Sequence, residues 1–140
     1  MLRTEPGART AAPVTLFTTS VAAHSSKATT LRDAGCEVVA LPASSAGGLD
    51  LGAALRHLAA VHHAANVLIE SGPGLLGRMI AAGLVDEAMV FVAPKLLGDP
   101  AGLSPAAVGE AASISRAVAV RPARVRRLGD DIVILSRFTS

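Results

Sequence analysis

The fold is decided by residues 66–98, which read NVLIESGPGLLGRMIAAGLVDEAMVFVAPKLLG. The stretch opens on a compact apolar run, residues 66–70, whose β-branched members are typical of a strand buried on both faces of a parallel sheet. A glycine-rich turn follows, and from Leu75 the apolar residues recur at helical spacing. The pattern therefore predicts a strand, a turn and a helix, followed by a second strand over residues 88–93.

The turn carries the spacing G-x-G-x-x-G at Gly72, Gly74 and Gly77. A position between a strand and a helix is the context in which this motif binds a dinucleotide. Glycine permits positive φ and a close backbone approach, and the unpaired N–H groups of a helix start attract a diphosphate. The alternative is a tight connection that binds no ligand, and the motif alone does not decide between the two.

The residues after the second strand bear on which dinucleotide would bind. A Rossmann fingerprint has an acidic residue near this point, which accepts a hydrogen bond from the ribose 2′-hydroxyl. Here Pro94 and Lys95 follow Ala93 instead. A cation suits a 2′-phosphate better than a hydroxyl, so the sequence favours NADPH over NADH unless Lys95 is simply solvated.

Three landmarks in close succession carry a family resemblance. The sequences ESGP at residues 70–73, AGLVDE at 82–87 and APKLLG at 93–98 resemble the C-terminal reductase domain of the bifunctional riboflavin-biosynthesis deaminase/reductase. A weaker resemblance extends over residues 14–138. It implies an α/β fold of the dihydrofolate-reductase type, with a mixed, mainly parallel sheet flanked by helices and a C-terminal antiparallel hairpin.

The same resemblance implies the domain organisation. Residues 1–140 are expected to form a single, partial reductase-like domain with an irregular lead-in over residues 1–12. The family's domain has an upstream segment that supplies its first strands and part of its pocket, so we expect an N-terminal truncation. A sheet without those strands would expose an edge or an apolar face that a second copy covers, which predicts a homo-oligomer.

The implied activity is the NADPH-dependent reduction of 5-amino-6-(5-phosphoribosylamino)uracil to its ribitylamino product. The glutamate matching Glu70 contacts the aminouracil substrate in the family; the alternative is a solvated carboxylate. No catalytic side chain is assigned, because the cofactor carries the difficult chemistry. The residues that match the family's dinucleotide-binding loop are Gly72, Pro73, Gly74, Leu75, Leu76, Gly77 and Arg78, of which the last could add a charge.

Three other functions remain open from the sequence. The chain could be a non-catalytic dinucleotide-binding fragment or partner subunit, or a related pteridine or dihydrofolate-type reductase, since these share the fold. A nucleic-acid-binding tail is the third, but no aromatic platform or known motif accompanies its arginines, which favours a solvated strand face. These arginines are Arg116, Arg121, Arg124, Arg126 and Arg127.

Composition narrows the cellular setting. Of the 140 residues 51% are hydrophobic, which is enough for a core, and the single cysteine excludes an intrachain disulfide. No apolar run has the length of a membrane-spanning helix. Residues 11–23 have small residues at a possible cleavage point, but four hydroxyl residues interrupt the run, so we expect a cytoplasmic protein and no signal peptide.

The histidines and one acidic pair do not suggest a metal site or a catalytic pair. His62 and His63 are adjacent, and His57 lies five residues before His62, so none forms the i, i+4 pair of a helical zinc motif. Asp86 and Glu87 lie between a helix end and a strand start. We expect them to hold that turn through hydrogen bonds from the backbone.

The remaining elements follow from local signals. Strands are predicted over residues 13–19 and 36–41, with a helix between them capped by Ser25 or Ser26 and a second helix capped by Asp50. Gly83 is predicted to end the helix that follows the glycine-rich turn. A hairpin over residues 117–127 and 132–135, with its turn at Gly129, closes the chain.

Overall fold

The computed structural model describes residues 12–45, 47–96, 98–99, 101–102, 104–107 and 117–138. The chain divides into two compact units, Met1–Val67 and Leu68–Ser140. The single domain over residues 1–140 stays a prediction. The predicted lead-in over residues 1–12 lies outside the described residues except for Ala12.

The N-terminal unit is built around two parallel strands. Thr15 pairs with Glu37 and Thr18 with Ala40, which confirms both predicted strands with slightly narrower bounds. A short helix that the sequence did not reveal precedes the predicted one. The elements are β1 Thr15–Thr18, α1 Ser20–Ala23, α2 Ser26–Asp33, β2 Glu37–Ala40 and α3 Leu51–His62.

Side chains at the helix starts explain where these helices begin. Ser25 Oγ accepts the Ala28 N–H at 3.3 Å to open α2, and Asp50 Oδ1 accepts the Ala53 N–H at 2.9 Å to open α3. Each bond satisfies one of the donors that a helix start leaves unpaired. Both predicted caps are confirmed.

The C-terminal unit is one helix and an antiparallel sheet. The strand after the helix and the C-terminal hairpin are both confirmed, and Gly129 takes a φ of 60° in the turn of the hairpin. Val133, on the central strand, is fully buried. The elements are α4 Pro73–Ala81, β3 Glu87–Val92, β4 Val120–Leu128 and β5 Asp131–Phe138, with the strands in the order β3-β5-β4.

The end of α4 follows the predicted glycine pattern. Gly83 has a φ of 65°, a conformation that costs glycine little. Its N–H donates to Ile80 O, and the Leu84 N–H donates to Met79 O, both at 3.0 Å. These two bonds satisfy carbonyls that the last helical turn leaves free.

The predicted strand over residues 66–70 is not formed. Within the described part of the chain no strand pairs with it, and the Leu68 side chain is 82% exposed. An apolar, β-branched run stays a strand only when a neighbour completes its backbone hydrogen bonds. The α/β class itself is confirmed, with parallel pairing in the N-terminal unit and an antiparallel sheet in the C-terminal one. Among the described residues, no helix has the length and apolar character needed to cross a bilayer.

Candidate functional site

The start of α4 is an open helix terminus. Gly72 is its N-cap residue, with φ −66° and ψ 167°, and it provides no side-chain hydrogen bond. The first bond of the helix runs from the Leu76 N–H to Gly72 O at 3.2 Å. Pro73 has no N–H, and the N–H groups of Gly74 and Leu75 donate to no other described residue. These free donors carry the partial positive charge of the helix start, which favours an anion.

The first two glycines of the motif leave room beside that terminus. A Cβ added at Gly72 or at Gly74 would meet nothing within 4 Å, and both residues are exposed. Neither glycine has a positive φ, so the expectation that these positions use the positive φ that glycine permits is wrong. What they provide is bare backbone, which a phosphate group can approach closely.

Gly77 has a different role from the other two. It is buried, and a Cβ there would collide with the backbone oxygen of Ala107, whose N–H donates to Pro73 O at 2.9 Å. The third glycine of such motifs commonly permits close packing of the helix. Gly77 therefore holds the following chain segment against α4 and is covered by protein.

The other residues predicted for the site lie close to this terminus in the chain. Glu70 is exposed, two residues before Gly72, and Leu75 and Arg78 are exposed on α4. Pro73 and Leu76 are half-buried. Lys95 is exposed beyond the end of β3, in the same unit. The predicted residues other than Gly77 thus remain available, in whole or in part, at the surface.

A cleft of about 450 Å³ lies at the opposite end of α4. It is lined by Ile80 and Gly83 of the helix end, by Glu87 at the start of β3 and by Arg137 of β5. Because a helix end carries partial negative charge, this cleft suits a diphosphate less well than the start of α4 does. The start of α4 at Gly72 is therefore the better candidate for an anion.

The acidic pair, Asp86 and Glu87, was expected to accept hydrogen bonds from the backbone of its turn, and the structure differs. Arg137 Nε donates to Glu87 Oε1 at 2.8 Å, and Nη2 lies 2.8 Å from the same oxygen, so the carboxylate bridges two strands and binds no backbone group among the described residues. Asp86 contributes its carbonyl, which accepts the Phe138 N–H at 3.0 Å. Glu87 and Arg137 stand directly opposite each other in the sheet, which is a common position for such a pair.

The tail arginines and the histidines give two further outcomes. Arg121, Arg124, Arg126 and Arg127 are exposed on β4, as a solvated strand face requires, while Arg116 lies outside the described residues. Two of the histidines meet a side chain that the sequence did not connect with them. His57 and His62 meet Glu37, and the ligand atoms of the three lie within 4.8 Å of one another. The five-residue spacing of His57 and His62 did not predict this cluster, because Glu37 lies far away in the sequence, on β2.

Comparisons with known proteins agree with the motif. The family model described as RibD C-terminal domain matches residues 2–134. The riboflavin biosynthesis protein RibD of Aquifex aeolicus (strain VF5) is 38% identical over 69 residues, which are 49% of this chain and 18% of that protein. The protein of the same name from Escherichia coli (strain K12) is 53% identical over 36 residues, 26% of this chain and 10% of that protein.

Solved structures agree with the fold. Two solved structures of Acinetobacter baumannii RibD, described as form 2 and form 1, each superpose with a TM-score of 0.65, at 26% and 25% identity. They cover 79% and 80% of this chain, which in turn spans 29% of each solved chain. The likeness shows the dihydrofolate-reductase-like fold, and the chain spans less than a third of the relatives it matches.

Proposed function

Because the chain belongs to the RibD C-terminal domain family, we propose that it is an NADPH-dependent reductase domain of riboflavin biosynthesis, working in the cytoplasm. The proposed reaction reduces the ribosyl group of 5-amino-6-(5-phosphoribosylamino)uracil to a ribityl group. The observation that carries the proposal is the uncapped start of α4 at Gly72, which lies inside the matched stretch.

The residues at this helix start fit a dinucleotide. The free N–H groups of Gly74 and Leu75 would bind the diphosphate, and the bare surfaces of Gly72 and Gly74 let it lie against the backbone. The exposed Lys95 is the cation assigned to the 2′-phosphate that distinguishes NADPH from NADH. When bound, the cofactor supplies the hydride. The chain's contribution is to hold it in one orientation at the open helix start.

Glu70 is assigned to the substrate. An ionised carboxylate only accepts hydrogen bonds, so it can bind and orient the N–H groups of an aminouracil ring. Its exposed position two residues before Gly72 puts it beside the proposed cofactor site along the chain. A carboxylate that binds a neutral ring through N–H groups forms charge-assisted bonds, which are stronger than neutral ones. Glu70 thereby orients the substrate without itself taking part in proton transfer.

A homo-oligomer is part of the proposal. Phe91 is 57% exposed and Met89 54% exposed on one face of β3, and Val90 and Val92 are also exposed on the other. Within the described residues β3 pairs on one side only, with β5. An apolar edge strand of this kind is usually covered by another chain. Light scattering should detect a dimer or larger assembly, and a monodisperse monomer at micromolar concentrations would contradict it.

Protection against thermal unfolding tests the cofactor assignment. NADPH should raise the melting temperature more than NADH, and at one hundred times Kd the protection corresponds to about 2.7 kcal/mol. Gly74→Val should remove the protection, because the new side chain enters open space that no protein atom occupies and blocks the phosphate. Undiminished NADPH protection in this variant would rule out the assigned site.

The matched control is Gly52→Val, which changes the same helical position of α3. A Cβ at Gly52 lies 3.2 Å from the side chains of Arg56 and Asp50, which must shift by a few tenths of an ångström to accommodate it. The variant should keep the NADPH protection. Equal loss in both variants would mean that a valine at a helix start acts through the fold and not through the ligand.

Turnover separates the remaining functions. Oxidation of NADPH that depends on the phosphoribosylaminouracil supports the proposed reductase, whereas oxidation that depends on dihydrofolate supports the related pteridine-type enzyme. NADPH protection without either reaction is the result expected of a dinucleotide-binding chain that is not catalytic by itself.

A further inference from the structure

Three metal-ligating side chains converge in the N-terminal unit. Glu37 opens β2, and His57 and His62 lie on α3. His62 Nε2 is 2.9 Å from Glu37 Oε2, and His57 Nε2 is 3.4 Å from Glu37 Oε1. Zinc bonds to histidine and carboxylate of about 2.0–2.2 Å at tetrahedral angles place neighbouring ligand atoms about 3.3 Å apart. The two measured distances run to different oxygens of Glu37, and one ligand atom from each of the three residues lies within 4.8 Å of the others, so small side-chain movements would bring them to that spacing.

One of the three ligand atoms lacks a partner. His57 Nε2 is buried and makes no hydrogen bond within the described structure. It is near Glu37 Oε1, but the direction of approach does not satisfy a hydrogen bond, so the 3.4 Å contact is electrostatic only. Buried polar atoms without a partner are rare in folded proteins and often mark an ion that has not been located. A metal ion bound between the three groups would satisfy this nitrogen.

The surroundings orient the ligands as metal sites usually do. Thr15 Oγ1 donates to Glu37 Oε2 at 2.7 Å, which fixes the direction of that carboxylate. The Phe17 ring packs edge-to-face on the His57 imidazole with centroids 5.5 Å apart, which fixes the plane of that ring. The His57 side chain is only 20% exposed. Such neighbours set the direction of ligating atoms and raise metal affinity.

From this geometry we propose that Glu37, His57 and His62 form a binding site for a divalent transition-metal ion, with Zn²⁺ as the ion to test. Two imidazoles and one carboxylate are a known zinc ligand set, and three protein ligands leave a fourth position for water. The site would tie α3 to the β1–β2 pair. It lies wholly in the N-terminal unit and does not depend on the proposed reductase activity.

The competing interpretation is a hydrogen-bonded cluster without metal, in which Glu37 accepts hydrogen bonds from Thr15 and His62. That arrangement accounts for Glu37 Oε2 but leaves His57 Nε2 without a partner. The two interpretations differ in one measurable property, since only the metal site binds zinc with all three side chains.

Isothermal titration of the metal-free protein with Zn²⁺ tests the proposal. We expect one equivalent per chain, and no binding of Mg²⁺, which prefers oxygen ligands. Glu37→Gln, His57→Gln and His62→Asn should each weaken Zn²⁺ binding by at least about tenfold. The matched control is His63→Asn, because His63 is adjacent, exposed and has a φ of 53° that asparagine tolerates. It should bind Zn²⁺ as the wild type does.

A second measurement keeps the proposal testable if a variant fails to fold. In the wild-type chain labelled with ¹⁵N, Zn²⁺ should shift the Nε2 signals of His57 and His62 and leave those of His24 and His63 unchanged. Absence of saturable binding, unchanged affinity in the three variants, or shifts confined to His62 and His63 would each overturn the site. The last result would indicate only surface binding to adjacent histidines.

Discussion

Two helices of this chain begin in opposite ways. At the start of α3, Asp50 Oδ1 accepts the Ala53 N–H at 2.9 Å, while its other oxygen is 3.3 Å from Arg56. At the start of α4, Gly72 has no side chain with which to accept anything. Thr19 and Ser25 cap the two remaining helices, so α4 alone among the described helices begins without a side-chain cap. The chain caps three helix starts with its own side chains and leaves the fourth without a side-chain cap.

The largest expected effect is on substrate affinity, at Glu70 next to the start of α4. Glu70→Gln keeps the shape of the side chain but loses a charge-assisted hydrogen bond, worth roughly 1.5–3 kcal/mol or about one to two decades in affinity. Substrate affinity, measured by titration in the presence of NADPH, should fall by that amount while NADPH protection survives. Loss of NADPH binding with substrate binding retained would show that the two sites are divided wrongly.

Gly77→Ala tests whether Gly77 serves packing, in contrast to Gly72 and Gly74, which face open space. Alanine favours a helix, but its Cβ would collide with the Ala107 backbone, so we expect a loss of about 1–3 kcal/mol in urea unfolding. Gly74→Ala is the control. Its Cβ meets nothing, and the gain in helix propensity should leave the chain unchanged or more stable by up to about 1 kcal/mol. Similar losses in both would remove the distinction between the two glycines.

Asp50→Ala removes the side-chain cap at the start of α3. Loss of this cap should destabilise the fold by about 1 kcal/mol, measured by urea unfolding, with NADPH protection intact. Arg56→Ala isolates the contribution of the ion pair, whose side chains are solvent-exposed and therefore stabilise little. If Arg56→Ala costs as much as Asp50→Ala, the ion pair and not the cap holds the start of α3.

Gly72→Asp gives α4 a side-chain cap of the kind that Asp50 provides for α3. It has the smallest expected effect on stability. The free chain should gain a few tenths of a kcal/mol in urea unfolding, because aspartate is a slightly better cap than glycine. The added carboxylate should also compete with and repel a phosphate, so NADPH protection should disappear. Protection that persists would place the phosphate elsewhere.

Features set by neighbours in the sequence were predictable. Ser25, Asp50 and Gly83 act within four residues of themselves, and each does in the structure what its residue type predicts. The hairpin around Gly129 is equally local. The open start of α4 could also be read from the sequence, since a glycine before a proline provides no side-chain acceptor.

Features set by distant partners were not predictable. Residues 66–70 have the composition of a buried strand, but a strand also needs a neighbour, which composition does not specify. The cluster of Glu37, His57 and His62 depends on how α3 lies against β2, and helical spacing alone turns the two imidazoles apart. Gly77 resembles Gly74 in the motif, and only the position of Ala107 distinguishes them.

The antiparallel sheet has two unlike edges. On β4, Pro122 has no N–H, the pairing with β5 is irregular between Pro122 and Arg124, and arginines recur along the strand. Proline, bulges and charge each prevent a further strand from joining an edge. On β3, residues 88–92 read AMVFV and carry none of these. Within the described residues the sheet can therefore grow in one direction only, so strand pairing between copies would stop at two chains and would not continue into a fibre.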